Sequence, residues 1–452
     1  MRELPPPAHR EAQPRLEDDR RAVVLVLLDG LGDRPQTDLG GLTPLEAARL
    51  PVLDKLARRG ACGLHVPFGP GRAAASEVAH WAIFGYEAIP FCGRAVLEAL
   101  GHGLAVNDSD PRLYTALRTS ESRDGAVWIT GRAEPDDEAD ARRLLAALPQ
   151  IAGDHIFELE WMRLGEGILR LPGASAEAAA ISDSDPFFED RQPWLLPLPL
   201  AGAESAAAAA AAGLAEYLRA ARAFLASNEI NAVRVRRGLP ALDTLTTKWA
   251  GARRPLPTFQ DRVGMAGALV SSSALYRGFA RLLAMKSIDV ITDPDPGRDL
   301  AGRLAAAADL LQAAAAFVHV HTKVVDEAGH SRRPDAKRRV LEALDPALAA
   351  LLEPPFNGAV VAVTGDHATP SSGGVLHTGD PTPLLVIGGA VRPDAVRDFS
   401  EAGCASGSIG TIRAADLLPL LLGHANRARF LGARATAHDT LGFPDHPEPL
   451  LL

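Results

Sequence analysis

The strongest constraint on the fold is a motif that recurs along the chain, in which a short apolar run ends in a polar turn. It occurs as VVLVLLDG at 23–30, as FVHVHTKVVD at 317–326 and as VVAVTGDH at 360–367, and PLLVIGGA at 383–390 is a related apolar run. Short apolar runs of this kind are typical of strands that are buried on both faces of a parallel sheet. The chain is therefore predicted to contain a buried, mostly parallel sheet.

Helical patterns separate these predicted strands. Segment 43–60, TPLEAARLPVLDKLARRG, has the periodicity of one helix, with Thr43 as its N-cap and Gly60 as its C-cap. Strands that alternate with helices predict an α/β fold with a doubly wound sheet. Ligands bind such sheets at the carboxyl ends of the strands. The aspartates predicted to lie at that edge are Asp29, Asp326 and Asp366.

The middle of the chain has a different character. Residues 105–245 contain short mixed segments, proline-rich turns and an alanine-rich helix predicted at 204–228. We interpret this region as a smaller inserted α+β domain. The core domain is then discontinuous, over 21–104 and 246–440. Residues 1–20 are charged and proline-rich without an apolar signal-peptide core, so a disordered leader is predicted there.

Composition limits the partners and the compartment. The 452 residues carry a net charge of −9, which gives no basic field for nucleic acids or membrane surfaces. The apolar runs are too short to span a bilayer. The three cysteines are widely spaced and odd in number, so neither a disulfide framework nor a cysteine zinc site is expected. A reducing, cytoplasmic setting is expected, and the oligomeric state has no signature in the sequence.

Four segments carry residues suited to chemistry: LLDG, GRAAASEVAH, KVVDEAGH and TGDHATPSSGGVLH. Asp326 and His330 are four residues apart, so on a helical turn they would share one face. Carboxylates and imidazoles without thiolates suit Mn²⁺, Zn²⁺ or Mg²⁺. A pair of such ions could clamp the oxygens of an in-line phosphoryl transfer and activate a serine. The candidate residues are Asp29, Ser76, Lys323, Asp326, His330, Asp366, His367 and His377.

Each segment also has an ordinary interpretation when taken alone. Asp29 before a glycine is usually a turn, Ser76 lies in a small-residue loop, and an aspartate and a histidine four apart more often form a surface pair. Asp366 and His367 could be a cap and a solvated histidine. The joint occurrence of the four segments, each after a buried-strand pattern or on a glycine-rich loop, favours a shared site.

Taken together, the segments resemble one known family, the archaeal-type, cofactor-independent (2,3-bisphosphoglycerate-independent) phosphoglycerate mutases of the alkaline phosphatase superfamily. The resemblance extends from about residue 22 to 435, nearly the whole chain. Its combination of motifs is highly specific, although no single motif is. The segments that carry it include VVLVLLDGLGDRP, ASEVAHWAIFGYE, GRAVLEALGHGL, SDSDP, KVVDEAGH and VTGDHATPSSGGVLHTGDPTPLLV.

The resemblance implies an alkaline phosphatase-like core, two divalent ions (Mn²⁺, with Zn²⁺ and Mg²⁺ as alternatives) and a phosphoserine intermediate on Ser76. Lys323 would neutralise phosphoryl charge, and the insert would act as a lid over a small phosphorylated substrate. One ion would be held by Asp29, Ser76, Asp366 and His367, and the other by Asp326, His330 and His377. The residues implied in substrate binding are Arg94, Arg132 and Asp185.

The sequence departs from the family pattern in the insert. WITGRAEP leaves only Arg132 of an arginine-rich segment, Phe187 follows Pro186 where a histidine is expected, and Lys248-Trp249 replaces an arginine-glycine pair. Two alternatives to a mutase of 3- and 2-phosphoglycerate therefore stay open. One is a divergent phosphatase, phosphotransferase or mutase that acts on another phosphorylated or phosphonate metabolite. The other is a non-catalytic binding protein of the same fold, which a complete ligand set disfavours.

Overall fold

A computed structural model describes residues 20–152, 155–187, 189–190, 192–428 and 452. The predicted leader, apart from Arg20, and the predicted end of the core beyond 428 lie outside these residues. Within the described ranges, no helix combines the length and the apolar character needed to cross a membrane.

The strands, in chain order, are β1 Val23–Leu28, β2 Ala61–His65, β3 Arg112–Arg123, β4 Ala126–Arg132, β5 Ile151–Ala152, β6 His155–Ile156, β7 Glu158–Arg163, β8 Glu166–Arg170, β9 Thr244–Gly251, β10 Gly267–Ser271, β11 Lys286–Asp289, β12 Phe317–Thr322, β13 Val360–Thr364, β14 Thr382–Ile387 and β15 Gly410–Ile412. The α-helices are α1 Pro44–Ala47, α2 Pro51–Ala57, α3 Ser76–Ile83, α4 Arg94–Gly101, α5 Glu138–Ala146, α6 Ser205–Ser227, α7 Glu229–Arg236, α8 Phe259–Val263, α9 Ala274–Leu282, α10 Pro296–Gln312, α11 Val324–His330, α12 Pro334–Leu344, α13 Glu401–Ala405 and α14 Ala414–His424.

The described chain divides into two compact units. The first comprises the described residues within 1–90, 257–272 and 283–452, and the second comprises those within 91–256 and 273–282. The second unit is therefore wider than the insert interpreted from the sequence, since it includes α4 and α9.

The first unit is built on an eight-stranded sheet with the order β11-β10-β12-β1-β13-β14-β2-β15. The α/β fold with a mostly parallel sheet is confirmed. Only β14 runs antiparallel to its neighbours, β13 and β2. The connection from β13 to β14, residues 365–381, contains no crossover helix, so the chain re-enters the sheet in the opposite direction.

Strand β1 shows why the apolar runs become central strands. All six of its residues are buried, and it pairs in parallel with β12 on one side and with β13 on the other. Burying each valine or leucine side chain stabilises the fold by roughly 1.5–3 kcal/mol. The same packing brings the carboxyl ends of β12, β1 and β13 together at one edge of the sheet.

Segment 43–60 does not form the single helix that was predicted. It forms two helices, α1 and α2, because Pro51 has no N–H to donate and disfavours helical geometry at Leu50, where φ is −124° and ψ is 61°. The Thr43 N-cap is confirmed as a capping box with Glu46. Gly60 is not the C-cap, which is Arg58; a Cβ at Gly60 would lie 2.3 Å from the carbonyl oxygen of Val386, so glycine permits close strand packing.

The second unit has a five-stranded antiparallel sheet with the order β4-β3-β8-β7, to which β9 adds by pairing with β3. Its core includes the buried face of α6, where Tyr217 stacks on Phe157 with ring centroids 4.4 Å apart. Helix α6 covers the alanine-rich segment, so the helix predicted at 204–228 is confirmed to within one residue at each end.

Candidate metal centre

The candidate site lies at the sheet edge where β12, β1 and β13 end. Asp29 directly follows β1, and Asp366 and His367 lie just beyond β13. Helix α11 begins two residues after β12 and carries Asp326 and His330 on adjacent turns. Ser76 is the first residue of α3. The structure thus brings together residues that are nearly 340 positions apart in the chain.

One group of candidate ligands consists of Asp29, Asp366 and His367, all buried, whose ligand atoms lie within 4.8 Å of one another. The Ser76 hydroxyl oxygen is 2.9 Å from Nε2 of His367 and 3.4 Å from Oδ1 of Asp29. The Gly30 amide donates a hydrogen bond to Oδ1 of Asp366 at 3.1 Å. The serine hydroxyl therefore lies beside two of the three candidate ligands of this group.

The electrostatics of this group suit a cation. Burial and the nearby charge of Asp29 raise the pKa of the Asp366 carboxyl well above its usual range. Oδ2 of Asp366 is buried and has no hydrogen-bond partner among the described residues. Burial lowers the pKa of His367 to about 3, which keeps its imidazole neutral and able to ligate. A divalent cation between the carboxylates would relieve their repulsion and bind Oδ2 of Asp366, which has no hydrogen-bond partner in the part of the chain that the structure describes. These residues therefore fit a metal ion.

A second group consists of Asp326, His367 and His377. His330 adjoins it, with Nε2 at 3.2 Å from Oδ1 of Asp326 and 3.4 Å from Nε2 of His377. Burial opposes ionisation of Asp326, but hydrogen bonds from His330 and His377 hold the pKa of its carboxyl well below the usual range. The resemblance placed His367 with the first ion only, whereas its ring lies within reach of both groups.

Lys323 lies between the two groups. Its ammonium nitrogen is 3.3 Å from Oδ2 of Asp326 and 3.9 Å from Oδ2 of Asp29. Its side chain is 44% exposed, so the charge can reach a bound anion as well as these carboxylates.

Two residues that sequence reasoning missed support the ligands. The Thr369 hydroxyl donates to Oδ1 of Asp326 at 2.7 Å and lies 3.1 Å from Nδ1 of His367. Nε2 of His321, in β12, is 3.0 Å from Oδ2 of Asp29. Nothing in the sequence marked His321, because its contact with Asp29 depends on the register of β12 against β1. His80, one helical turn after Ser76, has Nδ1 at 2.7 Å from the Ser76 carbonyl oxygen.

The residues predicted to bind substrate all belong to the second unit. The Arg94 guanidinium stacks on Trp249 at 3.9 Å from the ring centroid and pairs with Glu98. Arg132 forms an exposed ion pair with Glu189. Asp185 is buried and accepts a hydrogen bond from Arg118 at 2.7 Å.

Sequence reasoning did not assign a role to two further cations of the second unit, Arg118 and Lys248. The Lys248 ammonium lies 4.2 Å from the Trp249 ring centroid, and Tyr114 and Phe187 lie within 6 Å of it. Burial lowers the pKa of Lys248 to about 8. In the sequence, only Lys248 was marked, by its place in the Lys248-Trp249 pair. Nothing distinguished Arg118, which lies in the long strand β3.

Comparison with known proteins gives one family. A model of the metalloenzyme superfamily matches residues 21–423. The chain is similar to the 2,3-bisphosphoglycerate-independent phosphoglycerate mutase 2 of Methanocaldococcus jannaschii, with 32% identity over 91% of this chain and 95% of that protein. It is also similar to the 2,3-bisphosphoglycerate-independent phosphoglycerate mutase of Ignicoccus hospitalis, with 35% identity over 91% of this chain and 99% of the relative.

Solved structures agree with the sequence relatives. A protein from Pyrococcus horikoshii superimposes with a TM-score of 0.74 at 28% identity, over 92% of this chain and all of that one. The cofactor-independent phosphoglycerate mutase from Thermoplasma acidophilum superimposes with a TM-score of 0.58 at 29% identity, over 90% of this chain and all of that one.

Proposed function

The chain belongs to the metalloenzyme superfamily, together with 2,3-bisphosphoglycerate-independent phosphoglycerate mutases, and from this membership we propose that it is an isomerase that interconverts 3-phosphoglycerate and 2-phosphoglycerate. The observation that carries the proposal is the position of the Ser76 hydroxyl, 2.9 Å from His367 and 3.4 Å from Asp29 within a cluster of buried ligands. A serine held in this way is suited to accept a phosphoryl group and return it.

Membership of the superfamily means that the protein binds divalent metal. We propose two ions, one held by the Asp29, Asp366 and His367 group with Ser76, and one held by Asp326, His377 and His330. Ligands of carboxylate and imidazole suit Mn²⁺, Zn²⁺ or Mg²⁺, and the family resemblance favours Mn²⁺ among them. When bound, such ions favour the serine alkoxide and stabilise charge on the phosphoryl oxygens.

The chain's own residues then account for the transfer. Ser76 Oγ attacks the phosphorus in line, so that the Oγ–P bond forms while the bond from phosphorus to the substrate oxygen breaks. Lys323 stabilises the negative charge on the transferring group. The glycerate oxygen takes up the proton that Ser76 gives up. After reorientation, the other glycerate hydroxyl attacks the phosphoserine, its proton passes to Oγ of Ser76, and the free serine is restored. The transfer is intramolecular overall only if water is kept from the phosphoserine.

A divergent activity is the second candidate. Arg132, which the family resemblance assigns to substrate binding, pairs with Glu189 at the surface. This pairing favours an enzyme of the same phosphoserine chemistry that acts on a different phosphorylated compound. We also propose a reducing, cytoplasmic setting, because Cys62, Cys92 and Cys404 are all unpaired.

The direct test follows phosphorus by ³¹P NMR in the purified full chain, supplied with Mn²⁺ and 3-phosphoglycerate. We expect a 2-phosphoglycerate signal. Ser76→Ala should lower turnover by about 10³-fold or more, because it removes the nucleophile. Ser406→Ala, at the exposed end of α13, is the matched control and should be fully active.

Other outcomes have definite meanings. Inorganic phosphate as the only phosphorus-containing product would identify a phosphatase. The absence of any reaction would favour a different substrate. Full metal-dependent turnover by Ser76→Ala would exclude the covalent mechanism.

A further inference from the structure

A layer of buried histidines lies behind the candidate metal centre. The rings of His80, His319 and His321 have centroids 5.2–6.2 Å apart, and all three side chains are buried. Within this layer, Nε2 of His321 lies 3.0 Å from Oδ2 of Asp29, a carboxylate oxygen of the first ligand group.

The two oxygens of Asp29 have different surroundings. Oδ1 faces the Ser76 hydroxyl and Nε2 of His367, both at 3.4 Å. Oδ2 faces the other way, towards Nε2 of His321 at 3.0 Å and the Lys323 ammonium at 3.9 Å. An ionised carboxylate only accepts hydrogen bonds, so the imidazole must donate from Nε2–H.

We propose that His321 is a positioning residue of the metal centre, whose Nε2–H engages Oδ2 of Asp29 so that Oδ1 alone is presented to the metal and to Ser76. An unrestrained aspartate could turn about its last torsion and offer either oxygen or both. The hydrogen bond removes that freedom before the metal arrives. Partners of this kind behind a ligand commonly change metal affinity by roughly 10- to 100-fold.

The position of His321 is itself fixed by the fold. It pairs in register with Leu27 of β1, two residues before Asp29. Its carbonyl oxygen accepts a hydrogen bond at 2.9 Å from Arg303, which is buried in α10 and paired with Asp299 at 2.6 Å. The imidazole therefore projects from a rigid strand, as a group that positions a ligand must.

The test compares two amides at position 321 in the full-length protein. Glutamine places its amide N–H near the position of Nε2, whereas asparagine is one methylene shorter and cannot reach Asp29. We expect His321→Gln to bind Co²⁺ within a few-fold of wild type, and His321→Asn to bind roughly 10- to 100-fold more weakly. Co²⁺ is the probe because its visible spectrum reports ligand geometry independently of turnover. His424→Gln, at the end of α14, is the control.

Two results would overturn the proposal. One is equal Co²⁺ affinity in the glutamine and asparagine variants. The other is a fall in the unfolding temperature of the metal-free protein that parallels the loss of affinity, because this would make the role of His321 structural.

The inference rests on the metal centre of the proposed function but not on its substrate. Wild-type protein that fails to bind Co²⁺ would remove the centre and this proposal together. Wild-type protein that binds Co²⁺ yet leaves 3-phosphoglycerate unchanged would remove the mutase alone, and the comparison of the variants would still decide the role of His321.

Discussion

At the scale of single residues, the candidate site is defined by two buried carboxyl groups that lie close together and by a neutral imidazole beside them. Asp29 and Asp366 are buried side by side, and the pKa of Asp366 rises because burial and its neighbour both oppose a second charge. His367 stays neutral between them because burial lowers its pKa to about 3. These residues are poorly suited to a dry core and well suited to a bound cation.

Glu401 is a residue whose ionisation should be visible in stability. Its carboxylate accepts hydrogen bonds from the Thr43 hydroxyl at 2.7 Å and from the Asp33 amide at 3.3 Å. Burial raises its pKa from 4.5 to about 7. Between these values the folded protein binds more protons than the unfolded chain, so this group lowers the free energy of unfolding as pH rises from 4.5 to about 7, with no further change above that.

We therefore expect Glu401→Gln to remove this dependence. Relative to wild type, the variant should gain on the order of 1–3 kcal/mol of unfolding free energy between pH 5 and pH 8. Urea unfolding at the two pH values measures the difference. Glu353→Gln, at an exposed position, should follow wild type. An unchanged pH profile in Glu401→Gln would show that another group controls stability in this range.

The sequence indicates the candidate ligands better than the residues that contact them. Asp29, Asp326 and Asp366 are predictable because each follows an apolar run, and parallel strands end at a common edge. Thr369 and His321 have no such signal, because their contacts depend on how a loop and two strand registers meet. The contact of Arg118 with Asp185, 67 positions away, likewise has no signal in the sequence.

At the scale of elements, the site is held by close contact between α11 and the loop after β13. A Cβ at Gly329, in α11, would lie 2.7 Å from the carbonyl oxygen of Thr369 and 2.8 Å from its methyl carbon. Thr369 in turn contacts Asp326 and His367. The absence of a side chain at position 329 thus lets the helix and the loop share one set of ligands.

Gly329→Ala should therefore push Thr369 away from the ligands. We expect a loss of about 1–3 kcal/mol of unfolding free energy from overpacking and about tenfold weaker Mn²⁺ binding. Gly302→Ala is the matched control, since it also lies within a helix, α10, and its Cβ would meet no atom within 4 Å. That change should be neutral or stabilising by up to about 1 kcal/mol. Equal behaviour of the two variants, by urea unfolding and metal titration, would contradict this account.

Neither the strand patterns nor the helix patterns in the sequence determine the fold completely. The run at 383–390 is a strand as predicted, but its antiparallel direction depends on the helix-free connection at 365–381. The apolar residues of segment 43–60 have helical spacing on both sides of Pro51, although the backbone cannot continue as one helix through that residue. Apolar spacing reports which face is buried, and it does not report where the backbone hydrogen bonds stop.

At the scale of the whole molecule, each of the two units has a hydrophobic core of its own. The ligand groups belong to the first unit, whose sheet strands end at the site. Binding that occurs only in the folded state stabilises that state by mass action.

Metal removal should therefore lower the stability of the protein. At a free Mn²⁺ concentration of about 100 times Kd, one bound ion contributes about 2.7 kcal/mol. Chelation should lower the unfolding temperature by roughly 3–5 °C for each ion removed, and added Mn²⁺ should restore it. Hydrogen exchange should quicken at the Gly30 amide, which donates to Asp366. An unfolding temperature that stays the same with chelator and with added Mn²⁺ would argue against a metal held by these residues.

One imidazole, that of His367, lies within reach of both ligand groups. If the centre holds two ions, as proposed, a ring that ligates one ion would be less available to the other, so the two binding events would have a common coupling free energy. By reciprocity, whatever factor the first ion imposes on the second, the second imposes on the first. Occupancy of the centre would then be a joint property of the two proposed sites, and no single dissociation constant would describe either one.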